Sequence, residues 1–367
     1  MRDRPAGITG PDLERALADG WGLRAVAFRY VPVGAGSYHW AVRGGQGERR
    51  FVTVDDLDGK AWLGRTRPAV FTGLRAAMDA AVTLHREAAL GFVVAPVPAL
   101  DGETVRPLGA RHAVTVFPFL RGAAGRWGEA LPAPERDELA AMLAALHRAD
   151  PATVRLPRCE TALPRRGDLE TALRELGQPW YGGPFAELAR ELLAGAAGQV
   201  RRHLETLDRW ASGGAPAGEA VITHGEPHPG NIMRVPSAAM TPGTAMTGAT
   251  AMTEMTAGTV TTGTTGMMLI DWDTTGLAPP ERDLWMLASE TGDELRRYTE
   301  LTGRPVDRTA LELYRLRWAL DDTCYFIRDF RAPHRRTAGT EHTWQSLQRT
   351  IAGLAEEDRR SPPYQPV

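Results

Sequence analysis

VITHGEPHPGN (residues 221–231), followed further along by MLIDWD (residues 268–273), is the stretch on which the reading of this chain turns. Val221 and Ile222 close a short apolar run of strand type, after which two glycines and two prolines turn the chain. Polar residues on a loop held by a rigid element can be aimed at one point, as chemistry requires. His224, Glu226 and Asn231 stand at relative positions 1, 3 and 8 of that loop. MLI before Asp271 reads as a second buried strand with a carboxylate at its end. An acid and an amide on one loop, with a second acid on a neighbouring strand, suit ATP-dependent phosphoryl transfer. One group orients the acceptor oxygen, and two others hold the metal that neutralises the phosphates.

The same spacing is that of the protein-kinase catalytic loop, H-R-D-x-x-x-x-N. HGEPHPGN with IDWD resembles the aminoglycoside phosphotransferase family of small-molecule kinases, relatives of choline and homoserine kinases. That family usually reads H-G-D-x-x-x-x-N. Here Glu226 stands in the Asp position, which keeps the acid and extends its reach by one methylene.

The resemblance covers most of the chain and implies an α+β, bilobal protein-kinase-like fold, with an N-terminal antiparallel sheet lobe and a larger, mainly helical C-terminal lobe. It implies a nucleotide-binding lobe over residues 1–117, a hinge at 118–122, a catalytic and substrate-binding lobe over 123–355 and a flexible tail at 356–367. The expected reaction moves the γ-phosphate of ATP to a hydroxyl of a small molecule, an antibiotic of aminoglycoside, aminocyclitol or nucleoside type. Glu226 would take the hydroxyl proton, Asn231 and Asp271 would bind Mg2+, and His228 stands where protein kinases have a lysine near the transferred phosphate. Asp273 would add to these contacts, Asp283 would brace the loop, and backbone groups around Phe117 and Phe119 would meet adenine. Two other readings stand beside this one: a nucleotide-binding homologue with impaired catalysis, and a kinase of a choline- or homoserine-like alcohol. A protein kinase is disfavoured because no A-P-E segment follows Asp271, and a zinc site on His224, Glu226 and His228 lacks a further ligand.

Composition narrows the field. The chain has 367 residues, enough for two lobes, with 43% hydrophobic and 24% charged residues, ordinary for a globular protein. A net charge of −2 gives no strong pull toward nucleic acid or membrane. No apolar run approaches the ~20 residues of a membrane helix, and MRDRPAGITGPD at the start lacks the apolar core of a signal peptide. Cys159 and Cys324 are the only cysteines, so no disulfide framework is suggested. A cytoplasmic monomer or weak dimer is expected, with ATP and a small hydroxylated substrate as partners.

Lys60 is the sole lysine. Strand-like runs at 23–33 and 38–42 flank GAGS (residues 34–37). Gly34 and Gly36 would let backbone N–H groups and Ser37 approach phosphate, although a plain hairpin turn reads the same way. The next strand, FVTVDDL (residues 51–57), carries Thr53 where kinases of this type keep a phosphate-binding lysine. Lys60 follows just beyond, as a replacement that folds back or as a solvated turn residue. Helix 72–90 carries Asp79, by resemblance the candidate partner for that lysine and otherwise a surface charge, and FVVAPVPAL (residues 92–100) starts a strand. A strand at 112–122 leads into the hinge, and residues 135–150 and 185–212 read as helices.

Residues 236–266 differ in character. AMTPGT, AMTGAT and AMTEMT repeat with six-residue period, rich in Gly and Thr, and read as a disordered low-complexity expansion of a hairpin loop. Beyond 285 the chain reads as helical to about residue 354. The helix over 310–331 shows a core stripe of Leu313, Leu316, Leu320, Cys324 and Ile327. Tyr314, Trp318, Asp321 and Tyr325, with Asp322 adjoining, form a second stripe. Trp318, Asp321, Asp322 and Tyr325 suit a sugar-like or cationic acceptor, or an interface between helices.

Overall fold

The computed structural model describes residues 2–34, 36–212, 219–236, 265–289 and 291–360. They divide into two units: Met1–Arg158 with Glu219–Val306, and Cys159–Gly218 with Asp307–Val367. The first unit opens with helix α1 (Gly10–Trp21), started by a reciprocal Thr9–Asp12 capping box and stopped by left-handed Gly22. Strands β1 (Ala25–Val31), β2 (Ser37–Gly44), β3 (Arg49–Asp56), β4 (Val105–Leu108) and β5 (His112–Pro118) form an antiparallel sheet in the order β1-β2-β3-β5-β4. Alternation sets its faces. Val52 and Val54 enter a core with Leu13, Leu17, Val42, Val114 and Val116, which turns Thr53 and Asp55 to the opposite face.

Helix α2 (Arg67–Arg86) follows β3, starting earlier than its apolar pattern suggested because Thr66 caps it and Pro68 sits in its first turn. FVVAPVPAL corrects the expectation of a strand there. Pro96 and Pro98 have no N–H to give a ladder, so the segment makes an isolated parallel bridge between Val93 and Leu269 and scattered single bonds such as Val97 N–H to Val116. The strand is β4 instead.

The rest of this unit carries the motif. Strand β6 (Ala123–Ala124) and helix α3 (Ala133–Arg148) are followed by β7 (Val221–Thr223), β8 (Ile232–Pro236), β9 (Thr265–Leu269) and β10 (Gly276–Ala278). β6, β8 and β9 make one small sheet, and β7 pairs with β10. Pro236 pairs with Thr265, so the strands expected on either side of the repeat do meet as a hairpin. The repeat itself, within 237–264, lies outside the described residues. Helices α6 (Glu281–Leu284) and α7 (Asp293–Thr302) end the unit.

The second unit packs α4 (Arg166–Arg174), α5 (Ala186–Ser212), α8 (Arg308–Arg331) and α9 (Ala338–Arg360) around Leu193, Val200, Leu204, Leu320, Ile327, Leu347 and Ile351. On α8, Leu316, Leu320, Cys324 and Ile327 are buried as expected, while Leu313 is half-buried. Helix α9 continues to Arg360, past the expected end at residue 355; the last seven residues lie outside the described ones. Among the described residues no helix is long and apolar enough to cross a membrane.

Candidate functional site

The loop between β7 and β8 is fixed from below. Asp283, wholly buried, accepts the backbone N–H of His224 at 2.8 Å and of Gly225 at 2.6 Å, and a bond from His147 Nε2 at 3.1 Å. His147 is steadied in turn by the Tyr298 hydroxyl at 2.8 Å. Burial works to raise the Asp283 carboxyl, but the His147 bond and the charges of His147 and Arg282 hold it below the usual carboxylate range. Gly225 has φ +99, and a Cβ there would meet the Arg282 guanidinium at 2.5 Å, so both backbone angle and space demand glycine. Arg282 donates to Thr223 Oγ1 and to the Thr274 carbonyl, tying β7 to the segment before β10.

His224 is a structural link. Its Nδ1 accepts the Glu226 N–H and its Nε2 donates to the Ile270 carbonyl at 2.9 Å, joining the loop to the residue before Asp271. His228 turns the chain into Asn231: its Nδ1 accepts the Gly230 N–H at 3.0 Å, starting the single helical turn Pro229–Asn231. Burial, then the neighbouring His224, pushes His228 down to about 3, so it is a neutral ring with its proton on Nε2. Trp127 stands edge-on to it, ring centres 4.6 Å apart. Asn231 Nδ2 donates to the Glu226 carbonyl at 3.0 Å, and its own carbonyl accepts the Ile270 N–H. Asn231 and Asp271 therefore flank the same end of the β8–β9 hairpin.

Lys60 is not a solvated turn residue. It is fully buried, and its Nζ meets Asp55 Oδ1 at 3.0 Å, Ser37 Oγ at 3.1 Å and the Asp273 carboxylate. Burial alone would favour the neutral amine, but Asp273, Asp55 and Asp271 outweigh it and hold the ammonium above the usual lysine range. The glycine turn lies against it: a Cβ on Gly36 would stand 3.4 Å from Nζ. Gly34 has φ +69, a left-handed angle that glycine takes without strain. Asp79, the expected partner of the lysine, accepts the Thr104 hydroxyl at 2.6 Å instead, since the exposed face of α2 turns it away.

Asp271 has left-handed backbone angles, φ 65 and ψ 65, which Asp tolerates better than most residues. Water reaches this residue, yet protein surrounds it, and loss of hydration with the adjoining Asp273 charge pushes its carboxyl well up against the pull of Lys60. Glu226 and Asp55 push the same way. Three carboxylates, Asp55, Asp271 and Asp273, thus bear on one ammonium, and Glu226 bears on Asp271. Among the described residues no three His, Cys, Asp or Glu side chains form a ready cation cage. Mg2+ needs none: it usually takes one or two protein oxygens and completes its shell with water and phosphate oxygens. Asn231 and Asp271, in an electronegative surrounding, fit that pattern.

Phe117 is half-buried opposite Phe51 in the sheet, and Phe119 lies under the Arg49 guanidinium at 3.7 Å. Trp318, Asp321, Asp322 and Tyr325 belong to α8 of the second unit and are all half-buried. Burial raises the Asp321 carboxyl, only partly offset by Arg317, and its Oδ1 is buried without a hydrogen bond. Tyr314 of the same stripe is buried edge-on to Trp210 at 5.3 Å, a helix-to-helix contact. The sequence reading missed Asp55, His147, Arg282 and Trp127. The alternation of β3 puts Asp55 on the face of Thr53, which was a usable signal; the others come from distant elements.

A model of the phosphotransferase enzyme family, APH, matches residues 34–238. Protein StrN of Streptomyces griseus is 28% identical over 285 residues, 73% of this chain and 74% of the relative. Among solved structures, spectinomycin phosphotransferase APH(9)-Ia in complex with ADP and spectinomycin aligns with TM-score 0.66 at 14% identity, covering 96% of this chain and 99% of that one. A microcompartment-associated aminopropanol kinase aligns with TM-score 0.54 at 16% identity, covering 96% and 97%. The fold is thus the protein-kinase-like α+β one of these small-molecule kinases, an antiparallel sheet lobe followed by a larger, mainly helical part.

Proposed function

Because the chain belongs to the phosphotransferase enzyme family, we propose that it uses ATP with Mg2+ to phosphorylate a hydroxyl of an antibiotic of aminoglycoside, aminocyclitol or nucleoside type. The chain is a small-molecule kinase with an alcohol group as acceptor, and it uses a nucleotide. The observation that carries the finer reading is the gathering of Asp55, Asp273 and Asp271 around the buried Lys60, with Glu226 bearing on Asp271. So large an excess of negative charge calls for a cation, and a metal–nucleotide complex supplies one. The spectinomycin phosphotransferase, which holds ADP and spectinomycin, supports the acceptor class.

In this reading the acceptor oxygen attacks the γ-phosphorus of ATP, the bond to the β–γ bridging oxygen breaks, and ADP leaves. Glu226 takes the hydroxyl proton. Asn231 Oδ1, free of the bond its Nδ2 makes, and the Asp271 carboxylate would hold Mg2+, which neutralises phosphate charge when bound. The neutral His228 offers an N–H, not a charge, to a phosphoryl oxygen. Lys60 contacts the α- or β-phosphate, with Gly34, Gly36 and Ser37 as the adjoining turn. Backbone groups around Phe117 and Phe119 meet adenine, and Trp318, Asp321, Asp322 and Tyr325 contact the acceptor.

Incubation with ATP, Mg2+ and a panel of hydroxylated antibiotics and amino alcohols, read by mass spectrometry, tests the proposal. One phosphoryl group is expected on an antibiotic. Phosphate appearing only on an amino alcohol would move the reading toward the alcohol phosphorylated by the aminopropanol kinase; ATP bound with nothing phosphorylated would overturn it. The assignment of Lys60 has its own test. Lys60→Ala should weaken ATP binding about ten- to hundredfold, the worth of a partly desolvated charged contact, with Lys60→Arg intermediate. Calorimetric titration with ATP and Mg2+ measures it, and unchanged affinity would remove Lys60 from the phosphate site.

A further inference from the structure

The lysine of this chain has moved off the strand, and the acid that holds it has moved too. We propose that Asp55, in direct contact with Lys60 and joined to it again through Ser37, is the positioning residue for Lys60, in the place that the resemblance gives to a carboxylate on α2. The inference rests on the reading that Lys60 contacts the phosphates of ATP.

Register brings the group together. Ser37 and Asp55 are opposed partners on β2 and β3. Ser37 Oγ donates to Asp55 Oδ1 at 2.5 Å and accepts from Lys60 Nζ at 3.1 Å, while Nζ meets the same Asp55 oxygen at 3.0 Å. The three side chains form a closed triangle, all buried. The turn after β3 returns Lys60 to the strand: Asp56 accepts the N–H of Asp58 and of Gly59, and Leu63 N–H bonds the Lys60 carbonyl. No acid of α2 takes part, since Asp79 is exposed and bonded to Thr104.

An ammonium has three N–H donors, and here they are directed at Asp55, Ser37 and Asp273. A phosphate oxygen can reach Nζ only by replacing one of them. Asp55 and Ser37 ride on the same hairpin as Lys60 and are bonded to each other, whereas Asp273 arrives from the turn after β9. Asp273 is the partner to be exchanged, and Asp55 with Ser37 keeps Nζ aimed while that happens. A strand-borne anchor is compact: strand, turn and lysine lie within one short stretch, so the aim of Lys60 does not depend on where α2 sits.

The test is a double-mutant cycle on the full chain with its phosphorylatable substrate. Asp55→Asn keeps the shape and can still accept from Ser37, but it loses the charge. It should raise KM for ATP about ten- to hundredfold and leave KM for the acceptor within about twofold, a split that general loosening of the fold would not give. In the Lys60→Ala background the same change should cost nothing further, because its target is gone. Asp55→Glu should recover part of the ATP affinity. Should Asp55→Asn fail to fold, Ser37→Ala takes its place in the cycle, with the same non-additivity expected. Normal ATP KM in Asp55→Asn beside an impaired Lys60→Ala overturns this inference and leaves the reading of Lys60 intact. Additive losses overturn it as well, since Asp55 would then act on its own. A Lys60→Ala protein that binds ATP like the parent overturns the underlying reading, and this inference with it.

Discussion

Asp271→Asn is expected to lose about a thousandfold or more in turnover, the scale of removing a charge aimed at the transition state, yet to melt at or slightly above the temperature of the parent. Both halves follow from the site. The residue is exposed, so its side chain does not hold the core. Its carboxylate is crowded by Asp273 and Glu226, and removing one of the repelling charges relieves the folded state. Asn is the better substitution because the left-handed φ of 65 suits Asn as well as Asp, whereas Ala there adds about 1–2 kcal/mol of backbone strain. Stabilisation by Mg2+ with ATP, read in the same melting experiment, should shrink in the variant. Turnover at the parental rate would sink the kinase reading of this site.

The second large effect is on stability. Asp283→Ala strips the acceptor from two backbone N–H groups and from His147, all buried, and should cost about 3–5 kcal/mol. Against a total of about 5–15 kcal/mol for a typical domain, that is a substantial share, and turnover should fall with it because the loop bearing Glu226 and Asn231 loses its support. Urea unfolding midpoints measure the loss. The pH dependence has a definite sign. The folded-state pKa of Asp283 is depressed, so its contribution is whole above the ordinary carboxylate pKa and disappears as pH falls through the folded value. Below the ordinary carboxylate pKa the stability of the variant should accordingly vary less steeply with pH than that of the parent. Equal midpoints at neutral pH would mean that Asp283 does not brace the loop.

Much of this was open to a reading of the chain alone, for identifiable reasons. The loop over 221–231 and the hairpin that ends at Asp271 are local: glycine, proline and short apolar runs fix them within a few residues. Asp283 as a brace could be inferred by resemblance, and the structure puts two backbone bonds on it. Lys60 was ambiguous because its neighbours in sequence, Asp58 and Gly59, describe a turn, while the residues that bury it, Ser37 and Asp273, lie far off along the chain. Asp79 was open for the converse reason: helical spacing marks a face but not what that face meets, and the residue is an exposed charge bonded to Thr104. FVVAPVPAL has the apolar content of a strand, and its prolines take away the ladder donors. Tyr314 shared a stripe with Trp318 and Tyr325, but only packing could show that its ring is spent on Trp210.

The pairing of Pro236 with Thr265 bears on how the gene can vary. Asn231 precedes β8 and Asp271 follows β9, so the two residues proposed to hold Mg2+ stand at one end of the hairpin and the entry to the repeat at the other, about 17 Å away along five-residue strands. Closing a longer loop costs little more than closing a shorter one. Adding or removing whole AMT hexamers is therefore expected to leave turnover and melting temperature nearly unchanged, and a large loss of turnover on their removal would overturn that expectation. For the experimenter the same position is a port, a place to graft an epitope or a fluorescent reporter at the end of the hairpin away from Asn231 and Asp271.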